Sequence, residues 1–250
     1  MKKKNIEEAE QNISVDVKKE STPENEPFGS DGKRRITAVI PLRGGTGTQI
    51  DLNETLVRKC AESLAESTLI NRVVISADDE EFEKLEPRFR NARTILRPAH
   101  LSKPGMRVID VLMYTLSELE ESGEVPDILV PVEITYPFRP KGIFDRVIEM
   151  LLESDYNTVI AGFAEYRVCW REENHTFQSV TDLSLPRQER NPLYVGLPGL
   201  ACAVYPEIIR QGKRYGDPLG ILQIDDPMAA IEVRTKEQLK PLSDTFYWPE

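Results

Sequence analysis

Histidine and cysteine are scarce in this 250-residue chain, which has two of the first (His100, His175) and three of the second (Cys60, Cys169, Cys202). So few, so widely spaced, they make neither a zinc-ligand pattern nor a disulfide framework. Cys60 and Cys202 fall in apolar stretches and read as small buried hydrophobes, which suits a reducing compartment. Also missing is any run of about 18 apolar residues of the kind that spans a bilayer, and the N-terminal lysines lead into no apolar secretory stretch. A cytoplasmic protein without a membrane partner is expected. Basic charge is in deficit: 32 Lys and Arg face 42 Asp and Glu, for a net charge of -10. In residues 1–35 the two signs cancel, Lys2, Lys3, Lys4, Lys18, Lys19, Lys33, Arg34 and Arg35 against an equal number of acids. The acidic surplus therefore lies in the remainder, which argues against a nucleic-acid backbone as partner and leaves room for a nucleotide in a locally basic pocket.

What is present is a chain with enough apolar side chains, 40% of the total, to fill a sizeable core. Residues 1–35, rich in Lys, Glu, Ser, Asn and Pro, read as a disordered charged tail, with Ile6, Ile13 and Val17 leaving open a short partner-docking helix. Residues 36–250 read as one domain. Ile36-Thr37-Ala38-Val39-Ile40 is a β-branched run typical of a buried parallel strand. The period then alternates: helix over Leu52–Leu69, strand at Arg72–Ser76, short helix at Phe82–Phe89, strand at Thr94–Leu96, helix over Arg107–Leu119, strand at Ile128–Val132, helix over Ile143–Leu152 and strand at Thr158–Phe163. This alternation predicts an α/β fold with a mostly parallel sheet and helices on both faces, a three-layer Rossmann-like arrangement whose ligands bind at the carboxyl ends of the strands. From Glu165 to Pro198 the pattern breaks into a polar excursion of hairpin, arm or lid type. A strand at Gly199–Tyr205, a helix at Pro206–Gly212, a strand at Gly220–Ile224 and a helix from Thr235 complete the expectation.

The segment Pro41-Leu42-Arg43-Gly44-Gly45-Thr46-Gly47-Thr48, placed between a strand and a helix, lets backbone N–H groups and a guanidinium converge on phosphate. It has neither the Lys-Ser/Thr ending of a P-loop nor the spacing of a dinucleotide fingerprint. Ile40-Pro41-Leu42-Arg43-Gly44-Gly45 followed by Asn53 resembles the opening of the cytidylyltransferases that make CMP-sialic acid and related CMP-sugars. Further pieces follow in the same order: Val73-Val74-Ile75-Ser76-Ala77-Asp78-Asp79-Glu80-Glu81; Arg97-Pro98-Ala99-His100-Leu101-Ser102; Pro137-Phe138-Arg139; Arg187-Gln188-Glu189; and Ile231-Glu232-Val233-Arg234-Thr235-Lys236-Glu237-Gln238-Leu239.

The resemblance implies a nucleotide-diphospho-sugar transferase fold, with residues 165–198 as a protruding dimerisation arm. It implies attack of a nonulosonic-acid hydroxyl on the α-phosphorus of CTP with loss of pyrophosphate, for surface-glycan synthesis, and a homodimer. Carried onto this chain, Arg43 and Asn53 are the catalytic candidates, and Leu42, Arg43, Gly44, Gly45, Thr46, Asn53 and Asp78 line the nucleotide. Glu133, Arg139, Arg187 and Gln188 face the acidic sugar, and Glu232 is what remains of a Mg²⁺ site. The chain departs from the family where charge matters most. Gly47 and Leu52 stand in place of lysines, Glu133 in place of a Gln, and Arg234 in place of the second metal-holding Asp; the approach to the first helix is also shorter. A catalytically degenerate homologue serving as a binding or scaffolding subunit is therefore the alternative.

Structural roles remain open at several of these positions. Arg43 and Arg139 could form salt bridges, Asp78-Asp79 could cap the following helix instead of meeting ribose or Mg²⁺, and His100 and His175 read as solvent or packing residues. Phe246-Tyr247-Trp248-Pro249 is either a protein-docking contact or packs on its own domain.

Overall fold

The structure of the protein, a computed structural model, describes residues 33–44, 48–103, 105–235 and 237–238, with the backbone alone for 48–53. The tail before Lys33, Gly45, Thr46 and Gly47, the side chains of Leu52 and Asn53, and the C-terminal aromatic cluster lie outside the described residues.

Strand β1 (Ile36–Pro41) has five consecutive buried residues, as a strand covered on both faces requires. Helix α1 (Thr48–Ala65) follows; it starts and stops earlier than its apolar period suggests. Its end has a local cause: Asp145 accepts from Thr68 N (2.9 Å), Thr68 Oγ1 (2.8 Å) and the Ser67 hydroxyl, so side-chain bonds replace the next helical turn. Strand β2 (Arg72–Ala77) comes next. The helix expected at Phe82–Phe89 is a 3₁₀ segment, Glu80–Arg88, interrupted by Pro87. Then come β3 (Ala92–Leu96), α2 (Val108–Glu121), β4 (Ile128–Pro131), α3 (Ile143–Leu152) and β5 (Thr158–Glu165).

The excursion proves to be a hairpin, β6 (Trp170–Glu173) and β7 (Thr176–Ser179), then a 3₁₀ turn at Arg187–Glu189 and strand β8 (Leu193–Gly196). Asn174 and His175 both take positive φ (51° and 62°) at the hairpin tip, the conformation of a primed two-residue turn, so His175 serves as a turn residue. The chain closes with β9 (Cys202–Val204), a short α4 (Pro206–Arg210) and β10 (Leu219–Gln223). Of the last expected helix only the start is described. There Gln238 Oε1 accepts from Thr235 N (3.1 Å) while Thr235 Oγ1 accepts from Gln238 N (3.3 Å), the reciprocal bonds of a capping box.

The sheet order is β3-β2-β1-β4-β9-β5-β10, with β8 alongside β5. Every pairing is parallel except those of β9 with β4 and β5, and of β8 with β5. Alternate residues along each strand feed two cores. Ala38 and Ile40, Val73 and Ile75, and Ile128 and Val130 pack with α1 (Leu56, Val57, Cys60) and α3 (Phe144, Val147, Ile148, Leu151). Val39, Val74 and Leu129 pack on the other face with α2 (Leu112, Leu116, Leu119) and α4 (Ile209). The result is the expected three-layer α/β fold. Strand order reverses at β1, between its two parallel neighbours, so the carboxyl ends of β1, β2 and β4 form the switch point at which sheets of this kind have their ligand crevice.

Candidate functional site

Strand β1 runs out at Pro41, and Leu42, Arg43 and Gly44 carry the chain into the crevice. The neighbouring strand end grips them. Leu42 N–H donates to Ser76 O (2.8 Å), and Gly44 N–H donates to Asp78 Oδ1 (2.7 Å). Arg97, just past β3, completes the clamp: its guanidinium donates to Leu42 O (2.8 Å) and to Ser76 O, and it lies 3.9 Å from Asp78 Oδ2. The Arg97 side chain is 3% exposed. That burial pulls its pKa below the ordinary arginine value, with Asp78 opposing the shift and the nearby Arg43 adding to it. Arg43 itself is exposed. Asp78, a nucleotide-binding candidate, is thus placed beneath the loop as its anchor, while Asp79 caps the 3₁₀ segment by accepting from Glu81 N (2.9 Å).

Beyond β4, Glu133, Tyr136 and Arg139 gather around the turn that precedes β9. Arg139, expected to meet substrate, directs Nε to Leu200 O (2.9 Å), Nη1 to Tyr136 O (2.7 Å) and Nη2 to Gly199 O (3.0 Å) and Glu133 O. Four donor contacts to main-chain carbonyls tie the end of β4 to the start of β9. The Phe144 ring lies 5.6 Å below the guanidinium. Glu133 is not left as a bare acid, because Arg214 reaches it at 2.7 Å from the connection between α4 and β10. Gly199 passes so close that a Cβ there would sit 2.7 Å from both Glu133 Cδ and Tyr136 Cε2.

The segment after β10 returns to the same place. Val233 N–H donates to Thr135 O (2.7 Å), which sets Glu232 and Arg234 beside the Thr135–Tyr136 turn. Glu232 Oε1 receives Arg234 Nη2 at 2.6 Å and Thr135 Oγ1 at 3.3 Å. The Tyr136 hydroxyl feels this assembly: burial first, then the charges of Glu232 and Glu133, push its pKa to about 12 against the opposing pull of Arg234 and Arg139. Among the described residues no three His, Cys, Asp or Glu side chains converge as a metal-ligand set. With Glu232 held by a guanidinium, the donors present do not fit Mg²⁺, which asks for near-octahedral oxygen ligands.

Arg187 and Gln188 stand elsewhere. They are exposed on the arm, which leaves the sheet at the end of β5 and returns along it as β8 with Glu165 opposite Leu193, and no hydrogen bond or ion pair joins them to the residues above among those described. Along the same arm Trp170 (55%), Phe177 (67%) and Tyr194 (49%) are exposed. The structure therefore brings Leu42, Arg43, Gly44 and Asp78 together at one strand end, and Glu133, Arg139 and Glu232 at the next. Gly45, Thr46 and the Asn53 side chain fall outside the described residues. Sequence reasoning missed Arg214, Tyr136 and Gly199, and it noted Arg97 only as part of a motif. For Arg97 a signal existed, since an arginine directly after a strand in an acidic chain needs a partner; for Arg214, 81 residues from Glu133, there was none.

Residues 52–194 match the family model described as Cytidylyltransferase. That span includes the departures at Leu52 and Glu133 and leaves out those at Gly47 and Arg234. None of the curated proteins matches the chain. Among solved structures, the 4-diphosphocytidyl-2C-methyl-D-erythritol synthase from Anaerococcus prevotii is similar in fold, with a TM-score of 0.59 and 12% identity over 85% of this chain and 96% of that one. A CMP:2-keto-3-deoxy-manno-octonic acid synthetase complexed with CTP gives 0.57 and 13%, over 84% and 98%. A further 4-diphosphocytidyl-2C-methyl-D-erythritol synthase gives 0.57 and 14%, over 84% and 97%. At these identities the likeness is one of fold.

Proposed function

Because the chain belongs to the cytidylyltransferase family, we propose that it binds CTP in the crevice at the ends of β1, β2 and β4 and transfers CMP to a nonulosonic, sialic-acid-like sugar during surface-glycan synthesis. One observation carries this reading: the clamp of Asp78 and Arg97 on Leu42 and Gly44, which fixes the main chain on either side of Arg43 at the end of β1. In the reaction a sugar hydroxyl attacks the α-phosphorus and gives up its proton to water, the bond from that phosphorus to the bridging oxygen breaks, and pyrophosphate leaves. Charge must be neutralised on the leaving group, a role this reading gives to Arg43. The acid at Glu133, awkward for an acidic sugar, has its charge answered by Arg214. Arg139 supports the site through the backbone it holds. A homodimer in which the arm brings Arg187 and Gln188 to a neighbouring copy's site belongs to the same reading.

The Glu232–Arg234 ion pair favours a second reading, a homologue that keeps the nucleotide pocket and has lost transfer. The two are separated by incubating the protein with CTP, Mg²⁺ and a panel of nonulosonic acids while measuring pyrophosphate release, alongside calorimetry with CTP. Release with any sugar establishes the first reading. CTP binding without release establishes the second, and absence of both refutes the nucleotide assignment.

A further inference from the structure

We propose that Arg234 acts as a built-in cation where the family resemblance calls for a carboxylate-bound divalent ion, so that this chain binds the phosphates of its nucleotide without Mg²⁺. The inference rests on the reading that a nucleotide occupies the crevice. Glu232 is the carboxylate that survives at the expected metal position, and its Oε1 already receives two donors, Arg234 Nη2 at 2.6 Å and Thr135 Oγ1 at 3.3 Å. A metal ion at this carboxylate would have to sit beside a guanidinium already paired with it, where like charges repel.

Nor is the guanidinium a loose surface group at its base. Val233 N–H is bonded to Thr135 O, and Arg234 N–H donates to Gln238 Oε1 (2.7 Å), so the main chain on either side is fixed by a strand-end turn and a helix cap. Its far end is open: the side chain is 67% exposed, and among the described residues its ion-pair partner is Glu232. A planar fork with one edge held by a carboxylate and the other open is suited to accept phosphate oxygens in two-point fashion. The other acid of the cluster, Glu133, is closed off by Arg214 at 2.7 Å. Glu133, Arg214, Glu232 and Arg234 are therefore balanced in charge with no ion added.

The test has a metal arm and a nucleotide arm. In the first, Mn²⁺ alone is titrated into the full-length protein and free ion is followed by electron paramagnetic resonance. The wild type is expected to show no saturable site that Glu232→Gln removes, whereas Arg234→Asp creates a saturable one. In the second, CTP binding is measured by calorimetry in EDTA and in Mg²⁺. Wild-type affinities should agree within about two-fold, and Arg234→Ala should weaken binding in EDTA by roughly ten-fold or more, as loss of a charge-assisted contact does, with Arg234→Lys between them. A wild-type Mn²⁺ site that depends on Glu232, or CTP binding seen only with Mg²⁺, overturns the role of Arg234 and leaves the nucleotide reading standing. No CTP binding in either buffer overturns the nucleotide reading itself.

Discussion

Replacing Arg97 by Met keeps the reach of the side chain and removes its charge and its donors. Two effects oppose. Leu42 O loses a donor at 2.8 Å in a buried setting, and an unpaired buried acceptor costs about 1–3 kcal/mol. Asp78 loses its nearest cation, at 3.9 Å, though it keeps the Gly44 N–H, and Ser76 O keeps the Leu42 N–H. Against these losses, the variant no longer has to bury a guanidinium whose Nε lacks a partner. The balance should be a destabilisation of about 2–3 kcal/mol, a sizeable part of the roughly 5–15 kcal/mol typical of a domain. Urea unfolding of wild type and variant gives the number directly, and calorimetry with CTP reports the loop, which should bind nucleotide at least several-fold more weakly. Arg97→Lys should not rescue, because one ammonium cannot fork to two carbonyls. A variant within about 0.5 kcal/mol of wild type with unchanged CTP affinity refutes the clamp.

Gly199→Ala places a methyl group 2.7 Å from the Glu133 carboxyl carbon and from the buried Tyr136 ring. A loss of about 1–3 kcal/mol in urea unfolding is expected, and an unaltered midpoint would show that the turn yields freely. At the root of the arm, Arg167 holds Glu165 and lowers its pKa from the usual carboxylate value to about 2. A depressed folded pKa means that this contribution is complete above about 4.5 and is lost as pH falls toward 2. Carboxyl-carbon NMR should show that low titration, and Arg167→Ala should raise it while the Arg167 and Tyr166 N–H bonds keep part of the depression; a Glu165 midpoint near 4.5 in the wild type contradicts the pairing. Trp170→Glu together with Phe177→Glu tests the arm as a dimer contact. Light scattering should give a dimer for the wild type and a monomer for the variant, and equal masses for the two remove the arm from any interface.

Much of the frame was legible before the fold was known. Helix α3 was read at its observed bounds, Ile143–Leu152, because Ile143, Phe144, Val147, Ile148 and Leu151 repeat at helical spacing and all five are buried. The run at Ile36 announced a strand covered on both faces for an equally local reason. The 3₁₀ character of Glu80–Arg88 was missed because apolar spacing does not separate it from an α-helix, although Pro87 was a hint. Asn174-His175 carries a turn signal that was passed over within a polar stretch.

The site divides along the same line. Composition and strand-loop-helix order were enough to predict an α/β fold with a mostly parallel sheet, since apolar period and turn chemistry act between near neighbours in the chain. Which charges cancel there was a matter for the tertiary structure. Asp78 reaches Gly44 across 34 residues, Arg97 reaches Leu42 across 55, and Arg214 reaches Glu133 across 81. Even Glu232 and Arg234, two residues apart, form their pair in a segment that is docked on the Thr135 turn. Electrostatic and hydrogen-bond energies depend on distances of a few ångströms and on burial, and those are set by how distant strands are brought side by side.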